Sequence, residues 1–287
     1  MTSGNDTVLA GIDDTSHSWL AVDWAAAEAE ARGGALRLVH AVGPGPEIGW
    51  DETGAGLTRQ VFEATTSMLD DGRARVRAAR PDLPVEAFLA HASPAEAILD
   101  AAEDADLIVV GTRGRGGFAG LLLGSVSLKV AAHADRPVVV ARGRLNHAVE
   151  DAVVVGVRDE RDEAALRFAL AVAGRWRTGV RLVHAWSPVA QAGLVVPQMD
   201  SLGQEQRTHR ELLDRVARSA TDYSQVPVDT ELTVDAPAAA VVEASKRASL
   251  VVLPRHPAEG RLGSRLGSVT HAVLHHAACP VAIVPTG

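Results

Sequence analysis

Cysteine is nearly absent from this chain: Cys279 is the single one among 287 residues. That excludes an intramolecular disulfide framework and any zinc site built on a cysteine cluster, and it fits a reducing compartment. Aromatic residues are scarce too, 3% against 47% hydrophobic residues overall. The core must therefore be built from Ala, Val and Leu, which suits parallel sheets covered by Ala-rich helices. No apolar run approaches the roughly 20 residues that a membrane-spanning helix needs. Met1-Thr-Ser-Gly-Asn-Asp6 supplies no basic stretch ahead of the first apolar run, and Asp13 interrupts that run. A cytoplasmic protein without membrane contact is expected. A basic excess is also missing. The formal net charge of −8 disfavours nucleic acid or an anionic membrane as the main partner, because neutralising phosphates needs a basic face. No Gly-x4-Gly-Lys-Ser/Thr sequence is present, which argues against P-loop phosphoryl chemistry.

What the chain does contain is a glycine-rich turn in a telling place. The strand-like Asp106-Leu-Ile-Val-Val110 runs into Gly111-Thr-Arg-Gly114, and nine residues later Gly124-Ser125 opens a helical segment. Glycines between a buried strand and a helix start let backbone N–H groups converge on an anion. The helix macrodipole favours negative charge there, the hydroxyls of Ser125 and Ser127 are candidate phosphate donors, and Arg113 and Arg115 add positive charge at the rim. Asp13 would repel phosphate, whereas its carboxylate suits ribose hydroxyls. The nested Gly114-Arg-Gly116-Gly-Phe-Ala119 has dinucleotide-fingerprint spacing but follows the wrong strand for that use.

The chain repeats itself. Val8-Leu-Ala-Gly-Ile-Asp-Asp14 matches Val153-Val-Val-Gly-Val-Arg-Asp159, Arg37-Leu-Val-His-Ala41 matches Arg181-Leu-Val-His-Ala185, and Arg136-Pro-Val-Val-Val140 matches Cys279-Pro-Val-Ala-Ile283. Two domains of one fold are expected, residues 1–145 and 146–287, joined by a polar linker around Arg142 to Asp151. In the first half, strands are expected at Val8–Ile12, Leu36–Ala41, Val85–Ala90, Leu107–Val110 and Val138–Ala141. Helices are expected at Ser18–Arg32, Leu57–Ala79, Pro94–Glu103 and Ser125–His133. This alternation predicts an α/β fold with a doubly wound, mostly parallel five-stranded sheet in each half, and ligands beyond the carboxyl ends of the strands. Gly43–Gly56 and Ser187–Gly203 read as long loops, either functional lids or disordered.

The second half carries an altered copy of the loop. Pro254 and Pro257 replace the first two glycines, Arg158 replaces Asp13, and Gly267-Ser268 is kept. Proline has no N–H and a fixed φ, so backbone donors are lost there. Arg255, His256, Arg261 and Arg265 still make that helix start basic, so another anion or another nucleotide pose is left open. His40 and His184, at equivalent strand ends, read as histidines capping a strand rather than as metal or catalytic groups. His271, His275 and His276 lack a matching carboxylate or cysteine cluster for zinc. Cys279 reads as a small buried residue.

The element order, Asp13 after the first strand, and Gly-x-x-Gly-x9-Gly-Ser before the fourth helix resemble the universal stress protein family in its tandem-domain form, over essentially the whole chain. The resemblance implies a Rossmann-like, adenine nucleotide alpha hydrolase-like fold and ATP as ligand, with or without Mg²⁺. It places Asp13 near ribose or adenine, Ala41 at adenine through its backbone, and Gly111, Arg113 and Gly114 along the phosphates. Gly124, Ser125, Val126 and Ser127 would complete the phosphate pocket. It further implies that Pro137–Ala141 and Pro280–Val284 pair within the chain about a pseudo-twofold axis, and it leaves a homodimer open. An ATP-responsive regulatory protein with an unidentified protein partner is the reading that follows. A nucleotide-free scaffold or dimerisation protein and a slow ATPase are the alternatives, although no general base is identifiable.

Overall fold

The structure is a computed structural model that describes residues 6–43, 52–114, 123–143, 151–187, 199–220, 223, 225–256 and 266–286, with the side chains of 52–59, 61 and 199–201 left out. It divides into two compact units, Met1–Arg142 and Gly143–Gly287. The first contains β1 (Thr7–Gly11), α1 (Ser16–Arg32), β2 (Ala35–Ala41), α2 (Glu52–Ala79), β3 (Val85–Ala90), α3 (Pro94–Ala101), β4 (Leu107–Gly111), α4 (Ser125–His133) and β5 (Val138–Ala141). The second contains β6 (Ala152–Gly156), α5 (Glu163–Trp176), β7 (Val180–Trp186), α6 (Met199–Arg218), β8 (Val228–Val234), α7 (Pro237–Ala244), β9 (Ala248–Arg255), α8 (Ser268–His276) and β10 (Val281–Pro285).

Within the first unit the strand order is β3-β2-β1-β4-β5, and within the second β8-β7-β6-β9-β10. Every pairing inside each unit is parallel, so each is the expected doubly wound sheet. The chain builds outward from β1 through β2 to β3, then crosses to β4 on the opposite side of β1, where Val8, Leu9 and Ala10 face Leu107, Ile108 and Val109. That reversal opens a crevice at the carboxyl ends of β1 and β4. Both strands lie inside the sheet under helices, which is why they read as continuous apolar runs: all of β4 is buried. The outermost β3 and β8 keep polar and half-exposed residues instead.

Local chemistry fixes the helix ends. Thr15 caps α1, its hydroxyl oxygen accepting from Ser18 N–H at 3.2 Å. Gly33, left-handed at φ 66°, ends α1 by donating its N–H back to Glu30 and Ala29. Pro94 opens α3, where a missing N–H costs nothing. The long-loop expectation is corrected at its far ends. Helix α2 starts at Glu52 and α6 at Met199, so the last residues of Gly43–Gly56 and Ser187–Gly203 are helical. Residues 44–51 and 188–198 lie outside the described residues. No helix among the described residues is long and apolar enough to cross a membrane.

Ile108, wholly buried in β4, should show what this strand contributes: Ile108→Ala is expected to lower unfolding free energy by about 2–5 kcal/mol in urea denaturation. An unshifted midpoint would contradict the central placement of β4.

Candidate functional site

The crevice of the first unit is made by two segments far apart in sequence. After β1, the backbone turns sharply through Asp14, which adopts φ 64°, a conformation that Asp tolerates better than most residues. Asp13 is fixed by this turn: its Oδ1 accepts from the Thr15 hydroxyl at 2.7 Å and from the Thr15 N–H at 3.2 Å, while its own N–H donates to Ser18 Oγ at 3.2 Å. Its other oxygen, Oδ2, lies directly over Gly114, where a Cβ would come within 2.3 Å of it. The loop after β4 thus passes beneath the carboxylate, and a side chain at position 114 would displace Asp13 from this position.

The loop's two ends are tied together. Gly124 N–H donates to Thr112 C=O at 2.7 Å, and the Ser127 hydroxyl donates to Gly111 C=O at 2.6 Å. A Cβ on Gly111 would meet the His17 carbonyl at 2.6 Å, so the start of α1 rests on the end of β4. Gly124 is the N-cap of α4 in extended geometry, and among the described residues no side chain caps the helix. The first-turn N–H groups of an α-helix lack intrahelical acceptors, which makes this helix start a candidate anion site. The Arg113 guanidinium is held by His17, Nη2 to Nε2 at 3.3 Å, while the buried Arg113 Nε has no hydrogen-bond partner among the described residues.

The structure therefore brings Asp13, Arg113, Gly114 and Gly124 together, with Gly111 beneath them. Ser125 is exposed and Val126 half-buried at the start of α4. Ala41 stands one strand away at the end of β2, in register with Ala90. Ser127 is buried, and its hydroxyl donates to Gly111 C=O, which ties the start of α4 to the end of β4. Arg115 and Gly116–Ala119 lie outside the described residues. Sequence reasoning missed Thr15, His17 and Ser18. The Thr15–Ser18 cap is legible as a helix-start signal, whereas the reach of His17 to Arg113 has no local signature.

The histidines at the strand ends are caps, as read. His40 Nδ1–H donates to Ile12 C=O at 2.6 Å, and His184 Nδ1–H donates to Val157 C=O at 2.9 Å. In the second unit the device extends further: His184 Nε2 accepts from His209 Nδ1–H at 2.8 Å, and His209 stacks on Trp186. Burial, and then His184, push the His209 pKa down, which keeps it neutral.

At the corresponding crevice of the second unit, a cavity of about 100 Å³ is lined by Gly156, Val157, Ala185, Val241, His256 and Thr270, among others. Its charges are rearranged. Arg158 occupies the place of Asp13 and is paired with Asp159 at 3.1 Å. Asp162, 0% exposed, accepts the N–H groups of Arg158 and Asp159 on Oδ2 at 2.5 and 3.1 Å and meets His256 Nε2 through Oδ1 at 2.8 Å. Burial pushes the Asp162 carboxyl up, against the opposing pull of those N–H groups and of His256. Two arginines hold Asp159 low, Arg161 foremost. Among the described residues, Asp159, Asp162 and His256 form the group with metal-ligand spacing. Both Asp159 oxygens, however, are already taken by Arg158 and Arg161. Pro254 lies within β9, paired with Val284 of β10 beyond the last β6 pair, where a missing N–H is tolerated. Pro257, Arg261 and Arg265 lie outside the described residues.

Comparison with known proteins agrees with this architecture. The model of the Universal stress protein family matches residues 4–142 and 151–285. A universal stress protein of Mycobacterium tuberculosis is 33% identical over 297 residues, covering 99% of this chain and 98% of its own. One from Mycolicibacterium smegmatis is 30% identical over 291 residues, covering 96% of each. The crystal structure of a universal stress protein from Archaeoglobus fulgidus superposes with a TM-score of 0.70 at 17% identity, covering 98% of this chain and 96% of the other.

The buried Asp162 gives a two-part expectation. Asp162→Ala strands two backbone N–H groups and should cost about 2–4 kcal/mol, whereas Asp162→Asn keeps an acceptor and should cost less. A carboxyl raised by folding contributes stability that is complete below its unfolded pKa and is lost as pH rises through the folded value. Urea titrations of wild type against Asp162→Asn should therefore diverge as pH rises from about 4 towards neutrality, with the wild type losing more.

Proposed function

We propose, starting from the fact that this chain belongs to the universal stress protein family as two tandem repeats of its fold, that its first unit binds ATP and that the protein acts as a nucleotide-responsive regulator. The observation that carries this reading is the crevice where Gly114 passes beneath Asp13 and the buried Arg113 Nε lacks a partner among the described residues. An orphaned buried donor costs free energy unless something accepts from it, and a phosphate oxygen is suited to do so. The donor set fits the ligand. Arg113, the Gly114 N–H and the uncapped first turn of α4 at Ser125, Val126 and Ser127 would face the phosphates, while Asp13 would take ribose hydroxyls. Ala41 would offer its backbone to the base at the end of β2. Gly111 and Gly124 serve by permitting close packing and closing the loop.

The nucleotide-binding half is proposed as residues 1–145. The half at 146–287 would bind ATP weakly or not at all. Arg158 presents donors where ribose hydroxyls need an acceptor, and Pro254 lacks the N–H of its counterpart. Mg²⁺, where present, would arrive with the nucleotide, since among the described residues the group with metal-ligand spacing lies in the other unit. Occupancy would order the β1 turn and the start of α4 as one surface, which a regulatory protein partner could read.

Calorimetric titration of nucleotide-stripped protein with Mg-ATP should give about one site per chain. Two equal sites would remove the distinction between the halves, and no binding would favour a nucleotide-free scaffold. Gly114→Pro removes an N–H worth about 1.5–3 kcal/mol to a charged acceptor, so affinity should fall at least ten- to a hundredfold with the fold kept by circular dichroism. Unchanged affinity would refute the loop's role.

A further inference from the structure

The side chain in this crevice that neither the loop motif nor the helix start explains is His17. It stands in the first turn of α1, half-buried, with Nε2 3.3 Å from Arg113 Nη2. Because a guanidinium only donates, the imidazole must be accepting through a lone pair and must therefore be neutral. Burial, and then the Arg113 charge, lower the His17 pKa, which keeps the lone pair available at neutral pH. The backbone of His17 is equally fixed, with its carbonyl pressed against Gly111. The imidazole is thus a rigid arm that reaches from one side of the crevice to the cation on the other.

The second unit rebuilds the same contact with different groups. The residue four after Arg158 is Asp162, as His17 is four after Asp13, and the residue two after Pro254 is His256, as Arg113 is two after Gly111. Asp162 and His256 meet at 2.8 Å. In both units, then, the first turn after the first strand holds the residue just beyond the fourth. In the first unit alone the residue held is a guanidinium.

We propose that His17 is a positioning residue for phosphate recognition: by accepting from Nη2 it restrains Arg113 so that its remaining N–H groups, including the buried Nε, are held towards the crevice. This rests on the ATP-binding reading and specifies which part of the ligand the His17–Arg113 pair senses. An Arg side chain left to itself loses rotamer freedom on binding, whereas one already restrained loses little. The benefit should therefore be felt by polyphosphate-bearing ligands and not by the bare nucleoside.

The test is titration of the full chain with ATP and with adenosine, for wild type, His17→Ala, His17→Gln, Arg113→Ala and the Ala/Ala double variant. His17→Ala should weaken ATP about tenfold while adenosine changes less than twofold. His17→Gln, which supplies an acceptor oxygen, should recover much of the loss. In the Arg113→Ala background, His17→Ala should add little, since its target is gone. Equal losses for ATP and adenosine would reduce His17 to a packing role and overturn the proposal, as would an ATP affinity unchanged by His17→Ala. Failure of the wild type to bind ATP would overturn the binding reading and this one together, so the two failures are distinguishable.

Discussion

The parallel pairing of β1 with β4 is the constraint on which the rest of the first unit depends. Val8, Leu9 and Ala10 lie beside Leu107, Ile108 and Val109, and the two strands are buried beneath helices on both faces. Strands so deep must satisfy their backbone groups by pairing, and their side chains must be apolar all round. Once they pair in this register, the turn carrying Asp13 and the loop carrying Arg113 and Gly114 emerge side by side. Neither segment could form a crevice without the other. The order of strand addition, outward through β2 and β3 and then back across β1, leaves that edge uncovered by any crossover.

Close approach is the second constraint, and it explains why small residues collect there. Gly111 lets the start of α1 rest on the end of β4, and Gly114 lets the loop run under the Asp13 carboxylate. Ser127 and Gly124 then fasten the loop with bonds to Gly111 and Thr112. The result is a shaped backbone surface held by short-range hydrogen bonds, with the charged groups Asp13 and Arg113 at its mouth. The second unit keeps the scaffold, including the histidine cap on the carbonyl after its first strand, but exchanges the charges. A carboxylate withdraws into the interior as Asp162, and Arg158 moves to the mouth. The fold is thus indifferent to the charge pattern of the crevice, because that pattern sits on turns rather than in the sheet.

The sequence by itself determined the two repeats, the parallel α/β fold, the order of the elements and the location of the crevice. These follow from local signals: apolar runs such as Leu107–Val110, Ala-rich segments between them, and glycines where the chain must turn. Helix starts at Glu52 and Met199 were missed, because glycines and polar residues there resemble loop composition. Tertiary structure alone decided where the polar side chains point. The Ser127 hydroxyl turns inward to Gly111, His17 reaches Arg113 across 96 residues of chain, and His256 finds the buried Asp162. No periodicity encodes such contacts. They depend on the separation of two strand ends and on the depth at which each side chain is buried, quantities that exist only once the sheet has formed.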